Sequence, residues 1–331
     1  MNAILKALHF LLATVGIYIA IVASATFLNF TGSPVIQRLV PLRDPGGASH
    51  SLLRFREASA SGPVDVVFLG ASHTYRGFDP RIFASRGLTS MNLGSSAQSP
   101  LNTLMLLERH LDSLKPKLVI YEIYQTALAI DGMECFYDLL TNTRVDRSMV
   151  GMAWNLRQPQ AWTALLSVAF RNLQVPMSDH SQRGKEGRDD IYVKGGFVQT
   201  RATFPLARLG RLRAATNQME FPLDRRQFEF FGRCIELVRR HGAVFVCCSY
   251  PIPVETRKLL AGFEEKQRVI GEYMKKSSVP FRDFNLDMTL ETAMHYYDEV
   301  HLNQTGVELF NAALIEWLRR ENLLPATSQG L

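Results

Sequence analysis

Apolar residues fall along this chain in three kinds of run. The first is long and almost unbroken: residues 10–30 read FLLATVGIYIAIVASATFLNF. At a rise of about 1.5 Å per residue, a helix of that length covers about 30 Å, the depth of a bilayer's hydrocarbon. The second kind is short and rich in β-branched residues. Residues 64–69, 88–93, 118–123, 243–249 and 280–284 read as strands, the first of them covered on both faces. The third recurs at helical spacing. Residues 99–114 place Leu101, Leu104, Leu107, Leu111 and Leu114 on one stripe, and Pro116 follows the end. Residues 225–241, stopped by Gly242, residues 255–276 with a polar face, and residues 304–321 give three more helices. The last carries Val307, Phe310, Leu314 and Leu318 on one stripe, with Asn303 placed to cap it.

Strands alternating with helices predict a three-layer α/β/α fold around a mainly parallel five-stranded sheet. Right-handed crossovers put every strand's carboxyl end on one edge, where such folds keep their sites. Ser72 follows the first strand and Gly94 the second. Glu122 and Tyr124 end the third, Ser249 and Tyr250 the fourth, and Asp298 and His301 lie just before the last helix. The chain therefore divides into an apolar segment at 1–30, a linker at 31–62 containing Asp44-Pro45-Gly46-Gly47, and an α/β domain at 63–331. Residues 125–222 interrupt the alternation and are too long for a plain crossover. They carry Phe136, Tyr137, Trp154 and Trp162, then a charged stretch at 182–190, and read as a helical insertion that is either a lid or additional packing.

Composition narrows the setting. The 331 residues carry a formal charge of +6, which suits an anionic surface, and no zinc-finger or RNA-binding signature accompanies it. Lys6 precedes the apolar segment, while Arg38 and Arg43 follow it. Two readings stand: a signal-anchor with the rest of the chain outside the cytoplasm, or a signal peptide cleaved near Ala25 that leaves a secreted or periplasmic domain. The apolar run continues through Phe27, Leu28 and Phe30, which favours the anchor. Cys135, Cys234, Cys247 and Cys248 lack metal-type spacing. Cys247 and Cys248 are neighbours on a strand and point to opposite faces, so buried thiols are expected.

Two segments bear chemistry. The first strand stops at Gly70-Ala71-Ser72-His73, where a tight turn lifts a serine hydroxyl and a following helix aims its first N–H groups at the same place. The second is Asp298-Glu299-Val300-His301, whose spacing lets the carboxylate orient the imidazole of its own segment. Together they supply a nucleophile, a base and an orienting acid. Gly94 either brings a further N–H to the serine or is a turn glycine with positive φ. A metal-dependent phosphoesterase using His73, Asp298 and His301 is a weaker alternative, because no further ligands cluster in the sequence.

These three segments, in this order, resemble the SGNH (GDSL-like) hydrolase superfamily. The Ser-His-Thr-Tyr-Arg-Gly-Phe-Asp-Pro stretch and the Asp-x-x-His-Leu-Asn-x-x-Gly ending are similar to its membrane-anchored exported branch, associated with acylation of envelope polymers. The resemblance covers roughly residues 63–124 and 223–320. It implies a flavodoxin-like sheet, Ser72 as nucleophile, His301 and Asp298 as the other triad members, and Ser72 and Gly94 N–H groups in an oxyanion hole. The chain departs from the pattern at Ala71, where the family has Asp. It departs again after the third strand, where Tyr121-Glu122-Ile123-Tyr124-Gln125 lacks the family's oxyanion-hole Asn. Gln125 or Tyr124 is the expected substitute donor, and Glu122 is expected to pair with a cation such as Arg76. His73 is expected either to contact substrate, with Arg76, Glu122 and Tyr124, or to cap the helix after Ser72. The implied activity is an O-acyl esterase or acyltransferase on an envelope glycan, without a cofactor, working with a multi-span acyl-donating protein. The alternative is a non-catalytic glycan- or partner-binding protein on the same fold.

Overall fold

The computed structural model describes residues 3–30, 32–42, 50–174 and 190–326. The predicted turn at 44–47 and all but Asp190 of the charged stretch lie outside the described residues. The apolar segment forms helix α1, Ala3–Phe27, with a mean hydropathy of 2.1 over its most apolar window. It starts earlier than the pattern predicts and ends at Phe27, because strands β1 (Asn29–Phe30) and β2 (Ser33–Pro34) pair antiparallel around Gly32, whose φ is 83°. The segment expected to be a linker contains helix α2, Ser51–Ala60. Leu52, Phe55 and Ala58 recur at helical spacing and are buried, and that hydrophobic stripe holds α2 against the domain.

The alternation then begins. It runs through β3 (Val66–Leu69), α3 (Ser72–Gly77), α4 (Pro80–Ala84), β4 (Ser90–Asn92), α5 (Pro100–Leu114) and β5 (Leu118–Glu122). Residues 125–222 follow with α6 (Met133–Asn142), α7 (Arg147–Leu156), α8 (Pro159–Gln174), the hairpin β6 (Ile191–Val193) and β7 (Phe197–Gln199), and α9 (Leu206–Ala214). The chain returns through α10 (Arg225–Arg240), β8 (Val244–Ser249), α11 (Val254–Leu259), α12 (Phe263–Lys276) and β9 (Phe281–Asp283). It closes with α13 (Phe284–Asp287), α14 (Thr292–His295) and α15 (Gln304–Arg320). The single helix predicted at 255–276 is therefore two. Gly262 adopts φ 64°, and Ala261 N–H donates to Met219 O at 3.1 Å, so the backbone leaves the helix to meet residue 219.

The sheet is fully parallel in the order β4-β3-β5-β8-β9. The first strand in sequence is thus internal, between the second and the third, and the crevice of such a sheet opens at this reversal of winding. Side chains alternate across the sheet. Val67, Leu69, Val119, Tyr121, Phe245 and Cys247 enter one core, while Val66, Phe68, Leu118, Ile120, Val246 and Cys248 enter the other. All four cysteines are buried free thiols. Helices α6, α7 and α8 share the first core with α5 and α10, whereas Phe197, Phe204 and Leu209 belong to the second. Residues 125–222 are therefore not helical throughout: the β6–β7 hairpin crosses the edge of the sheet, where Asn92 N–H donates to Gly195 O at 2.9 Å.

Candidate active site

Ser72 owes its position to Gly70. The glycine's φ of 134° is closed to other residues, and a Cβ there would lie 2.5 Å from both Glu122 O and Thr74 Oγ1. The chain can then turn sharply from β3 into α3 with Ser72 as the first helical residue. The Ser72 N–H, first in the helix, has no acceptor within it. The facing loop is held at both ends. Tyr250 Oη accepts from Leu302 N–H at 2.8 Å, and Tyr297 N–H donates to His301 O at 3.1 Å. Asn303 caps α15 by accepting from Gly306 N–H at 3.2 Å.

These supports bring three side chains into line across 229 residues of sequence. Ser72 Oγ lies 2.7 Å from His301 Nε2, and His301 Nδ1 lies 2.9 Å from Asp298 Oδ2. Asp298 Oδ1 also accepts from the N–H groups of Val300 and His301, at 3.0 and 2.8 Å. Burial works to raise the Asp298 carboxyl. The hydrogen bond and charge of His301, with the two backbone donors, outweigh it and hold the group well below the usual carboxylate range. Burial also lowers His301 below the ordinary imidazole value. Asp298 opposes this shift, and the neighbouring His73 and Arg76 reinforce it. The Tyr297 ring stacks on His301 with centroids 5.6 Å apart, fixing the plane of the imidazole.

The remaining predicted residues fall less simply. Gly94 adopts no positive φ; its lack of a side chain serves close approach, since a Cβ would lie 2.8 Å from Thr74 Cβ and 3.1 Å from Ala71 O. Its N–H donates to Asn92 Oδ1 at 2.9 Å, so it is engaged within its own loop. The same Asn92 donates to Thr74 O at 2.8 Å and folds that loop back. As a result Ser96 and Ala97, not Gly94, line the cavity. Gln125 is buried and does not line the cavity, and its Oε1 has no partner among the described residues.

Glu122 does not pair with Arg76. It meets His73, with Oε1 3.3 Å from Nδ1 and both side chains buried. Arg76 instead holds Asp190 at 2.9 and 3.2 Å and lies over the Tyr297 ring. His73 does not cap α3; it stands within the helix, stacked on Tyr250 at 4.7 Å and edge-on to Tyr124 at 4.7 Å and His301 at 5.3 Å. Among the described residues, no three His, Cys, Asp or Glu side chains are arranged to hold a metal ion.

The cavity over Ser72 measures about 860 Å³, within the ordinary range for small-molecule sites. One wall is a single face of α6, where Glu134, Tyr137, Asp138, Thr141 and Asn142 recur at helical spacing. Asp138 is anchored there by Ser51 Oγ at 2.7 Å and Ser95 Oγ at 2.6 Å. Another part of the lining is an apolar wall of Leu212, Met219, Phe221, Leu259, Leu260 and Val300. Sequence reasoning missed Asp138, Tyr297 and this apolar wall. Tyr297 had a signal, its place beside Asp298; the walls had only the face of one helix and scattered loop residues. Arg54 was missed too: fully buried in α2, it donates to Gly94 O and Gly196 O at 3.0 Å and ties the β6–β7 hairpin to the loop beside Ser72.

No family model and no curated protein matches the sequence. Among solved structures, the chain is similar to a GDSL-like lipase from Bacteroides thetaiotaomicron, at 14% identity and a TM-score of 0.41, covering 82% of this chain and 98% of that one. It is similar to a lipase/acylhydrolase from Enterococcus faecalis at 14% identity and a TM-score of 0.41, covering 78% and 96%. It is also similar to an SGNH-hydrolase family esterase at 14% identity and a TM-score of 0.32, covering 80% and 100%. Likenesses this distant assign neither substrate nor activity.

Proposed function

We propose that this chain is a serine esterase or acyltransferase of the SGNH type, acting on O-acyl esters of a hydroxylated polymer. The observation that carries this reading is the continuous line from Ser72 Oγ through His301 to Asp298, with contacts of 2.7 and 2.9 Å. Ser72 Oγ attacks the acyl carbonyl while His301 Nε2 takes its proton. The tetrahedral intermediate collapses, the ester C–O bond breaks, and His301 returns the proton to the leaving alcohol. Asp298 holds the Nδ1–H tautomer and stabilises the imidazolium. The Ser72 N–H, free at the start of α3, is the donor we assign to the developing oxyanion. Water then releases the acyl group, or a sugar hydroxyl accepts it.

The two walls give the substrate its orientation. The α6 face offers carboxylates, amide and hydroxyls to a polyol, and the apolar wall shelters an acyl chain. An envelope glycan presented outside the cytoplasm, with α1 as anchor and a multi-span protein as acyl donor, fits this division and the basic charge. The test is labelling of the full-length protein with a fluorophosphonate. Adduct formation at Ser72, lost in Ser72→Ala with a fall in cellular acylation for a transferase or a rise for an esterase, is the expected result. A second reading is a non-catalytic glycan-binding protein, favoured by the engagement of Gly94 N–H with Asn92 and the position of Gln125. It predicts no adduct and unchanged acylation in Ser72→Ala.

A further inference from the structure

Two partly exposed apolar strips lie outside the cavity lining, one on α8, which packs on α1, and one on α7, which packs on α8. On α7, Val150 and Trp154 stand one turn apart and are 44% and 73% exposed. On α8, Ala161, Ala164, Leu165 and Val168 are buried in the core, while Trp162, Leu166 and Phe170 are half-buried at its margin and lead to exposed Leu173. Leu173 is 83% exposed. The Trp154 and Trp162 rings meet edge-on with centroids 6.5 Å apart, which joins the strips into one surface. Exposed Arg147 and Arg157 stand at the two ends of α7. An apolar, tryptophan-bearing surface of this extent is costly in water and ordinary where protein meets lipid headgroups.

Its position identifies the occupant. Tyr18 Oη of α1 lies 2.8 Å from Thr163 Oγ1 of α8, and Val22 and Ala25 share a core with Leu165 and Val168. About 20 helical residues cross the hydrocarbon of a bilayer. Residues 3–21 of α1 are exposed, about 28 Å of helix, whereas Val22, Ala25 and Thr26 are buried against the domain, so the crossing ends near Val22 and Tyr18 lies about 6 Å before it. The helix bonded to Tyr18 must then lie at the interface, and its outward side is the apolar one. On the proposed reading of α1 as an anchor, we infer that the Val150–Trp154 strip of α7 and the Trp162–Leu173 strip of α8 form a second membrane-contact surface, resting on the bilayer that α1 would enter. Arg147 and Arg157 place positive charge where anionic headgroups would sit.

This surface fixes how the domain stands on the membrane. The segment leaving α1 does not form a loose tether: Ile36, Val40 and Leu42 are buried in the same core, and Pro41 between them lines the cavity over Ser72. The cleft is thus held at a set height and tilt above the lipid.

The test uses tryptophan emission from the full-length chain in phosphatidylcholine–phosphatidylglycerol vesicles, with and without bromine on the upper acyl chain. The chain has three tryptophans, and Trp317 is 5% exposed in the core on the other face of the sheet. Indoles seated about 5–10 Å into the interface lie within reach of the bromines, so wild-type emission should fall by about half. In the double variant Trp154→Phe/Trp162→Phe, the remaining Trp317 emission should stay blue-shifted and unquenched, which also reports an intact core. Equal quenching of wild type and double variant would overturn the inference. So would an unquenched wild type, and intermolecular disulfides in a Leu173→Cys chain would then show that the surface seats a second copy.

Discussion

Replacing Asp298 by Asn tests the proposed chemistry most sharply, because the structure dictates how the amide must sit. Asp298 Oδ1 accepts from two backbone donors, Val300 N–H at 3.0 Å and His301 N–H at 2.8 Å. An Asn must keep its carbonyl oxygen there, since turning its NH₂ toward two N–H groups would leave all of them unpaired. The NH₂ then takes the place of Oδ2, 2.9 Å from His301 Nδ1. A donor at that point favours an accepting Nδ1, because the carbonyl oxygen 3.0 Å from the same nitrogen already accepts both backbone N–H groups, and this moves the imidazole proton to Nε2, facing Ser72 Oγ. The base is lost while the loop keeps its backbone bonds. A tautomer switch of this kind costs about 10⁴-fold in turnover. At about 1.36 kcal/mol per decade, that is about 5 kcal/mol of lost transition-state stabilisation. The assay is kcat/KM on a p-nitrophenyl ester and the rate of fluorophosphonate labelling, with a melting curve beside them. The expected outcome is a loss of about four decades in both rates, with stability changed by no more than about 1 kcal/mol. Activity within tenfold of wild type would refute the assignment of His301 as base through Asp298.

Three further outcomes follow from the same geometry. His301 is held below its ordinary value of 6.5, so the neutral base persists into mild acid and the acid limb of kcat/KM should be centred below pH 6.5. Arg76→Gln removes a cation that lowers His301 and leaves the Asp190 carboxylate behind, so a pH–rate profile should show that limb moving to higher pH; a shift to lower pH would contradict the charge arrangement. Gly70→Ala should destabilise the fold by about 2–4 kcal/mol, combining left-handed strain with a Cβ set against Glu122 O, and should abolish labelling at Ser72. Thermal melting in detergent checks it, and a variant melting like wild type would show that the turn tolerates a side chain.

Much of this molecule was legible from one residue to the next. Five apolar β-branched runs became the five strands of the sheet, shifted by a residue or two at their ends. The stripe of Val307, Phe310, Leu314 and Leu318 became the buried face of α15. Asp298 and His301 needed only a local turn, so their mutual contact could be read from spacing. The break in the helix at 255–276 could not, because Gly262 yields to a pairing with Met219, more than forty residues earlier. Nor could α2, since its apolar positions sit among the polar residues of an apparent linker.

What the chain alone determined is therefore the kind and order of its elements and the local chemistry at each sheet-edge loop. Periodicity, turn residues and short spacings act over a few residues, and the sequence displays them directly. What only the tertiary structure decided is which partner each buried charge takes. Glu122 went to His73, Arg76 to Asp190, and the Gly94 N–H to Asn92 rather than toward Ser72. A buried polar group binds whichever complementary group packing brings within about 3 Å. That choice depends on how elements separated by tens or hundreds of residues stack on the sheet, and no local pattern encodes it.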